Sequence, residues 1–102
     1  MTTKTEAINL EEEALSAFCR KHHIARLSLF GSILTKDFRA DSDVDALVVF
    51  EPDARIGFMA LARAQHELSE LLQRPVDLVP ESGLKPLIRV DVLNSAEVIY
   101  AA

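Results

Sequence analysis

Residues 30–50 read FGSILTKDFRADSDVDALVVF, and this stretch decides the fold. Its second half alternates. Asp43, Asp45, Leu47 and Val49 face one way, and Val44, Ala46, Val48 and Phe50 the other. That is the period-2 pattern of a strand with one face in a core. Its first half opens on Phe30-Gly31-Ser32, where an apolar run from Ile24 ends at a glycine, so a second strand is expected over 24–30. Between the two strands, Ser32 to Phe38 predicts one or two helical turns. Arg39-Ala40-Asp41-Ser42 has turn composition.

Upstream, Leu10, Ala14, Ala17, Phe18 and Lys21 recur at helical spacing. Asn9 predicts a cap, with Glu12 reaching back to it. Glu11, Glu12 and Glu13 fall in the first turn, where the helix dipole favours carboxylates. A helix is expected over 10–22, with Lys21, His22 and His23 at its end. Downstream, Phe58, Leu61, Gln65, Leu68 and Leu72 predict a helix over about 55–73, and Phe58, Met59 and the following leucines read as core. Pro75 to Val79 predicts a strand. Ser82 predicts a cap for a helix over 84–93, with Pro86 tolerated in its first turn. Glu97 to Tyr100 predicts a short edge strand. The order α-β-α-β-α-β-α-β implies an α/β chain of the α+β type, a mixed sheet of about four strands covered by helices.

The bulk numbers agree with one domain over 1–102. With 49% hydrophobic residues the chain has material for a core. No apolar run nears the roughly 20 residues of a membrane span. Met1 to Glu6 lacks the apolar stretch of a signal peptide, so a cytoplasmic setting is expected. The lone Cys19 cannot form an intrachain disulfide and reads as a small buried residue. Sixteen acidic residues against 11 basic give a net charge of −5. No basic stripe is visible, so direct nucleic-acid binding is not expected.

Chemistry concentrates in few residues. Two positions along a strand advance by about 6.6 Å on one face, so Asp43 and Asp45 can converge on hard cations. Asp77, inside Val76-Asp77-Leu78-Val79, reaches the same place if its strand pairs beside theirs. Gly31 permits close approach of backbone, and Ser32 adds a hydroxyl at a helix N-terminus, a natural phosphate site. Three carboxylates and such a turn suit a divalent metal and a nucleoside triphosphate. Each part alone has a plainer reading. Asp-x-Asp by itself is a solvated strand end, and Gly-Ser by itself an ordinary turn with a serine cap. His22 and His23 read as helix-terminal residues, and His66 and Glu67 as a solvated helix face.

Together, Gly31, Ser32, a ten-residue spacer, Asp43-x-Asp45 and the later Asp77 resemble the minimal nucleotidyltransferases of the DNA polymerase beta superfamily. The resemblance runs from Phe30 through the terminal Glu97-Val98-Ile99-Tyr100-Ala101 segment. It implies Mg²⁺ at Asp43, Asp45 and Asp77, triphosphate binding at Gly31 and Ser32, and Asp77 activating an acceptor hydroxyl. The arginine that many members carry shortly after Gly-Ser is replaced here by Ile33-Leu34-Thr35-Lys36; Lys36 or Arg39 would stand in for it. The chain is further similar to the antitoxins paired with HEPN-type toxins. That similarity implies transfer of AMP from ATP to a toxin tyrosine, the partner being a separate protein. The alternative function is a non-catalytic antitoxin that masks its partner by contact.

Overall fold

The computed structural model describes residues 11–31 and 43–102. The expected helix over 32–38, Ser32, Lys36, Arg39 and Asp41 lie outside them. The described elements are α1 (Glu12–Lys21), β1 (Ile24–Phe30), β2 (Val44–Phe50), α2 (Phe58–Leu72), β3 (Val76–Pro80), a 3₁₀ turn at Glu81–Gly83, α3 (Pro86–Ser95) and β4 (Glu97–Ala101). The strands form one sheet in the order β3-β2-β1-β4. β1 runs antiparallel to both β2 and β4, and β2 runs parallel to β3. The mixed four-stranded sheet expected from the sequence is therefore present.

Alternation along β2 sorts its side chains as read. Val44, Ala46 and Val48 are buried in the core cluster with Leu27 and Leu29 of β1, Val76 and Leu78 of β3, and the inner faces of α1 and α2. The opposite face carries Asp45, Leu47 and Val49. The β2–α2–β3 unit joins neighbouring parallel strands, with its helix over the core face. The β3–α3–β4 connection crosses from one edge of the sheet to the other.

Several local expectations change. Helix α1 starts at Glu12 with Glu11 in the cap position and no side-chain cap bond; the expected cap Asn9 lies outside the described residues. Its buried stripe is Leu15, Phe18 and Cys19, whereas Ala17 and Lys21 are exposed. The third helix starts at Pro86 after Lys85, and Ser82 sits in the preceding 3₁₀ turn instead of capping it. Proline at the first helical position needs no N–H partner, which explains the later start.

Phe58 and Met59 are not core: they are 81% and 72% exposed. They form the first turn of α2, and the helix meets the sheet only from Leu61 onward, through Ala64, Leu68, Leu71 and Leu72. Helix α3 buries none of its side chains, and Leu87 is 95% exposed. The sheet is thus closely covered on one face by α1 and α2.

The two covering helices are tied at their surface by Glu67. It accepts hydrogen bonds from Lys21 Nζ at 3.0 Å and 3.1 Å and lies 2.9 Å from His22 Nε2. The Lys21 ammonium, with His22 beside it, holds the Glu67 carboxyl below the usual range. His66 and Glu67 therefore differ: His66 faces solvent beside Glu70, while Glu67 links two helices. Among the described residues no helix is long and apolar enough to cross a membrane.

The stability prediction follows from this division. Leu68→Ala, at a fully buried position, should cost about 2–5 kcal/mol. Phe58→Ala should stay within about 0.5 kcal/mol of the parent. Urea denaturation midpoints at constant slope check both.

Candidate active site

The site lies at one end of the sheet, where β1 finishes and β2 and β3 begin. β2 enters at Val44, directly after Asp43, and its first exposed-face residue is Asp45. In the parallel β2–β3 ladder Asp45 is the register partner of Asp77. Register partners on adjacent strands lie about 4.8 Å apart and share a face. In the antiparallel β1–β2 ladder Asp45 is also the partner of Phe30, which delivers Gly31 to the same end. The strand pairing thus collects Gly31, Asp43, Asp45 and Asp77.

Gly31 has a stricter role than a flexible turn. Its φ is +81°, a left-handed conformation that L side chains rarely adopt. A Cβ built there would run into the Asp45 Oδ2 oxygen and would lie 3.3 Å from its Cγ. Glycine is therefore required twice at this residue, once for its backbone and once to leave the Asp45 carboxylate its space.

The carboxylates differ in setting. Asp43 and Asp77 are exposed and Asp45 is half-buried between them. Partial burial pushes the Asp45 carboxyl above its ordinary value of 3.8, and the charges of Asp77 and then Asp43 push it further. Asp45 is therefore the common neighbour of the other two. Among the described residues no three His, Cys, Asp or Glu side chains stand at metal-ligand spacing. The carboxylates share a sheet end without forming a closed cage. Clustered hard oxygen donors are chemically suited to a divalent cation that retains several waters.

Other reactive groups lie elsewhere. The Cys19 thiol is buried against the core, and burial pushes it up to about 12, which removes it as a thiolate nucleophile near neutral pH. A shallow groove lined by Ala14, Phe18, Lys21, Glu67 and Leu71 lies between α1 and α2, on the face away from the carboxylates. Two residues that the sequence did not single out touch the site's outer strand. Ser69 Oγ accepts from the Val76 N–H at 3.1 Å, and Gln65 Oε1 from the Leu78 N–H at 2.8 Å. The only trace of them in the sequence is a polar Gln65 within the apolar stripe of α2.

This arrangement has counterparts. A family model described as a nucleotidyltransferase domain matches residues 11–99. The chain belongs to that family. A nucleotidyltransferase by descent, it shares 34% identity over 76 residues with a Methanocaldococcus jannaschii protein assigned as a protein adenylyltransferase, covering 74% of this chain and 80% of that one. It shares 36% over 77 residues with the protein adenylyltransferase MntA of Thermococcus cleftensis, covering 76% and 74%. A solved minimal nucleotidyltransferase superposes with a TM-score of 0.68 at 39% identity, over 83% of this chain and 85% of that one. A chain from the Shewanella oneidensis complex of an MNT antitoxin with a tri-AMPylated HEPN toxin superposes at 0.64 with 18% identity, over 89% and 70%, and shows the shared fold. The nucleotidyltransferase is thus an enzyme of the minimal type. Members of its family generally work with divalent metal.

The raised Asp45 pKa has a signed consequence. Its folded value exceeds its unfolded one, so ionisation opposes folding. The penalty is absent below the ordinary carboxylate value, grows as pH rises from that value to the folded one, and stays constant above it. In chelator-treated protein, Asp45→Asn should melt above the parent at pH 7, and the gap should close near about pH 3. Gly31→Ala should destabilise by about 1–2 kcal/mol from backbone strain alone. Thermal melts across pH test both.

Proposed function

We propose that the nucleotidyltransferase moves AMP from ATP onto a hydroxyl of a partner protein, a tyrosine of a HEPN-type toxin, with Mg²⁺ as the metal, and that it thereby acts as an antitoxin in the cytoplasm. The observation that carries this reading is the Asp45–Asp77 register pair with Asp43 on the same approach. Binding nucleotide phosphate alone needs donors of hydrogen bonds, not a third carboxylate. A carboxylate added beside two others is useful where a hydroxyl must lose a proton. AMP as the transferred group is supported by the two relatives named for protein adenylylation. The partner class is supported by the toxin–antitoxin complex that shares the fold.

In this mechanism Asp43 and Asp45, with Asp77 beside them, would hold Mg²⁺, which when bound would neutralise phosphate charge and lower the pKa of the acceptor hydroxyl. Gly31 and Ser32 bind the β- and γ-phosphates through backbone N–H groups and the serine hydroxyl. Asp77 faces the acceptor and takes its proton as the hydroxyl oxygen bonds to the α-phosphorus. The bond from that phosphorus to the bridging oxygen breaks, and pyrophosphate leaves. A cation held by these residues would favour the charged form of the half-buried Asp45, against the repulsion from Asp77 and Asp43.

The experiment is co-expression with a HEPN-type toxin, followed by mass spectrometry of that partner. An AMP adduct on a tyrosine is expected with the parent chain. Asp43→Asn and Asp45→Asn should abolish it. Asp77→Asn should keep most ATP affinity in calorimetry but slow transfer by about 10²–10⁴-fold, the scale of general-base catalysis. A tight complex without any adduct would instead establish the contact-only antitoxin.

A further inference from the structure

β3 is a strand of five residues that, among the described residues, is paired on one side only. In a parallel ladder alternate residues turn their N–H and C=O groups toward the neighbour. The Val44 N–H bonds the Pro75 carbonyl at 2.9 Å, so Pro75, Asp77 and Val79 face β2. Val76 and Leu78, which flank Asp77, face outward. Their N–H groups are the ones taken by Ser69 and Gln65 of α2, at 3.1 Å and 2.8 Å. The Ser69 hydroxyl in turn donates to the Gln65 carbonyl at 2.8 Å. The Leu78 amide is thus held by the Gln65 side chain, and the Val76 amide by Ser69, whose hydroxyl back-bonds to the main-chain carbonyl of Gln65 one turn earlier.

We infer that Gln65 and Ser69 are positioning residues for Asp77. Outward N–H groups at an open edge are satisfied well enough by water. A half-buried glutamine in the apolar stripe of a helix is not needed for that purpose. What it adds is a fixed distance between α2 and the strand. α2 is anchored in the core through Ala64 and Leu68, on either side of Gln65. Through the clamp, the depth and rotation of β3 against β2 are set by the core, although no described strand pairs with its outer edge. A site side chain has to be held to about 0.5 Å to act, and Asp77 is the one site carboxylate on an edge strand. The clamp lies on the core side and Asp77 points to the other face, so Gln65 acts only through the strand. This rests on the reading of Asp77 as part of the metal site.

The test uses the full chain, Mn²⁺ as the probe, and two substitutions of like shape. Gln65→Met keeps the length and loses the amide oxygen; Gln65→Glu keeps an acceptor. In Gln65→Met the Leu78 amide should exchange with deuterium about tenfold faster, the scale of one net hydrogen bond, with Leu29 and Leu47 amides unchanged. Its Mn²⁺ affinity by calorimetry should fall to that of Asp77→Asn, and the double variant should fall no further. Gln65→Glu should match the parent in both measurements. Unchanged Leu78 exchange in Gln65→Met would overturn the clamp. Parental Mn²⁺ affinity in Gln65→Met, with Asp77→Asn weakened, would reduce the clamp to a feature of the fold; so would an additive double variant. Parental affinity in Asp77→Asn would remove Asp77 from the metal site and the positioning role with it.

Discussion

Three like charges held at one end of a sheet repel one another, and the fold is arranged to keep them there. Asp45 bears most of the strain, because it is half-buried and lies between the other two. Its partial desolvation and its neighbours both favour the protonated form. What holds it is the strand it belongs to. β2 lies in the interior of the sheet, and Val44, Ala46 and Val48 are fully buried on either side of Asp45 along the chain. Shifting Asp45 by one position would turn that apolar set to the other face. The same burial that stabilises β2 therefore forces the carboxylate to stay where its charge is disfavoured. Gly31 follows from this. With the Asp45 carboxylate fixed, the chain end of β1 has no room for a Cβ, and only glycine fits.

The two faces of the sheet have different tasks. The face under α1 and α2 holds the core, and the carboxylates look out from the other. Within the first face, polar groups appear where a strand edge needs them. Ser69 and Gln65 meet the outer N–H groups of β3, and Glu67 joins α1 to α2. Helix α3 contrasts with both. It connects the two edge strands, yet its leucines and valines remain largely exposed. The enzyme thus has a closely packed layer, α1 and α2, behind the carboxylate end of the sheet, and a third helix that buries none of its side chains.

Much of this was legible in the residues. Alternation from Asp43 to Phe50 assigned each side chain of β2 to its face without knowledge of any neighbour, because that period is local. The bounds of β1 followed from an apolar run that stops at a glycine. Gly-Ser, Asp-x-Asp and the later aspartate identified the family. Less legible were helix faces and ends. Leu15 is core although Ala17 and Lys21 fitted a helical period as well, and Phe58 is exposed although it continues the stripe of α2. Periodicity indicates which residues share a face; it does not say how far along the helix the sheet extends.

By itself the sequence determined the kind of strand, the facing of its side chains and the chemical character of the site, since all three depend on residues within a few positions of one another. Only the tertiary structure decided that Asp77 stands opposite Asp45, that the Asp45 carboxylate occupies the space beside Gly31, and that Gln65 reaches the amide of Leu78. Each of these joins residues more than ten positions apart. Strand register and helix docking are set by how the whole core packs, and no local pattern carries that information.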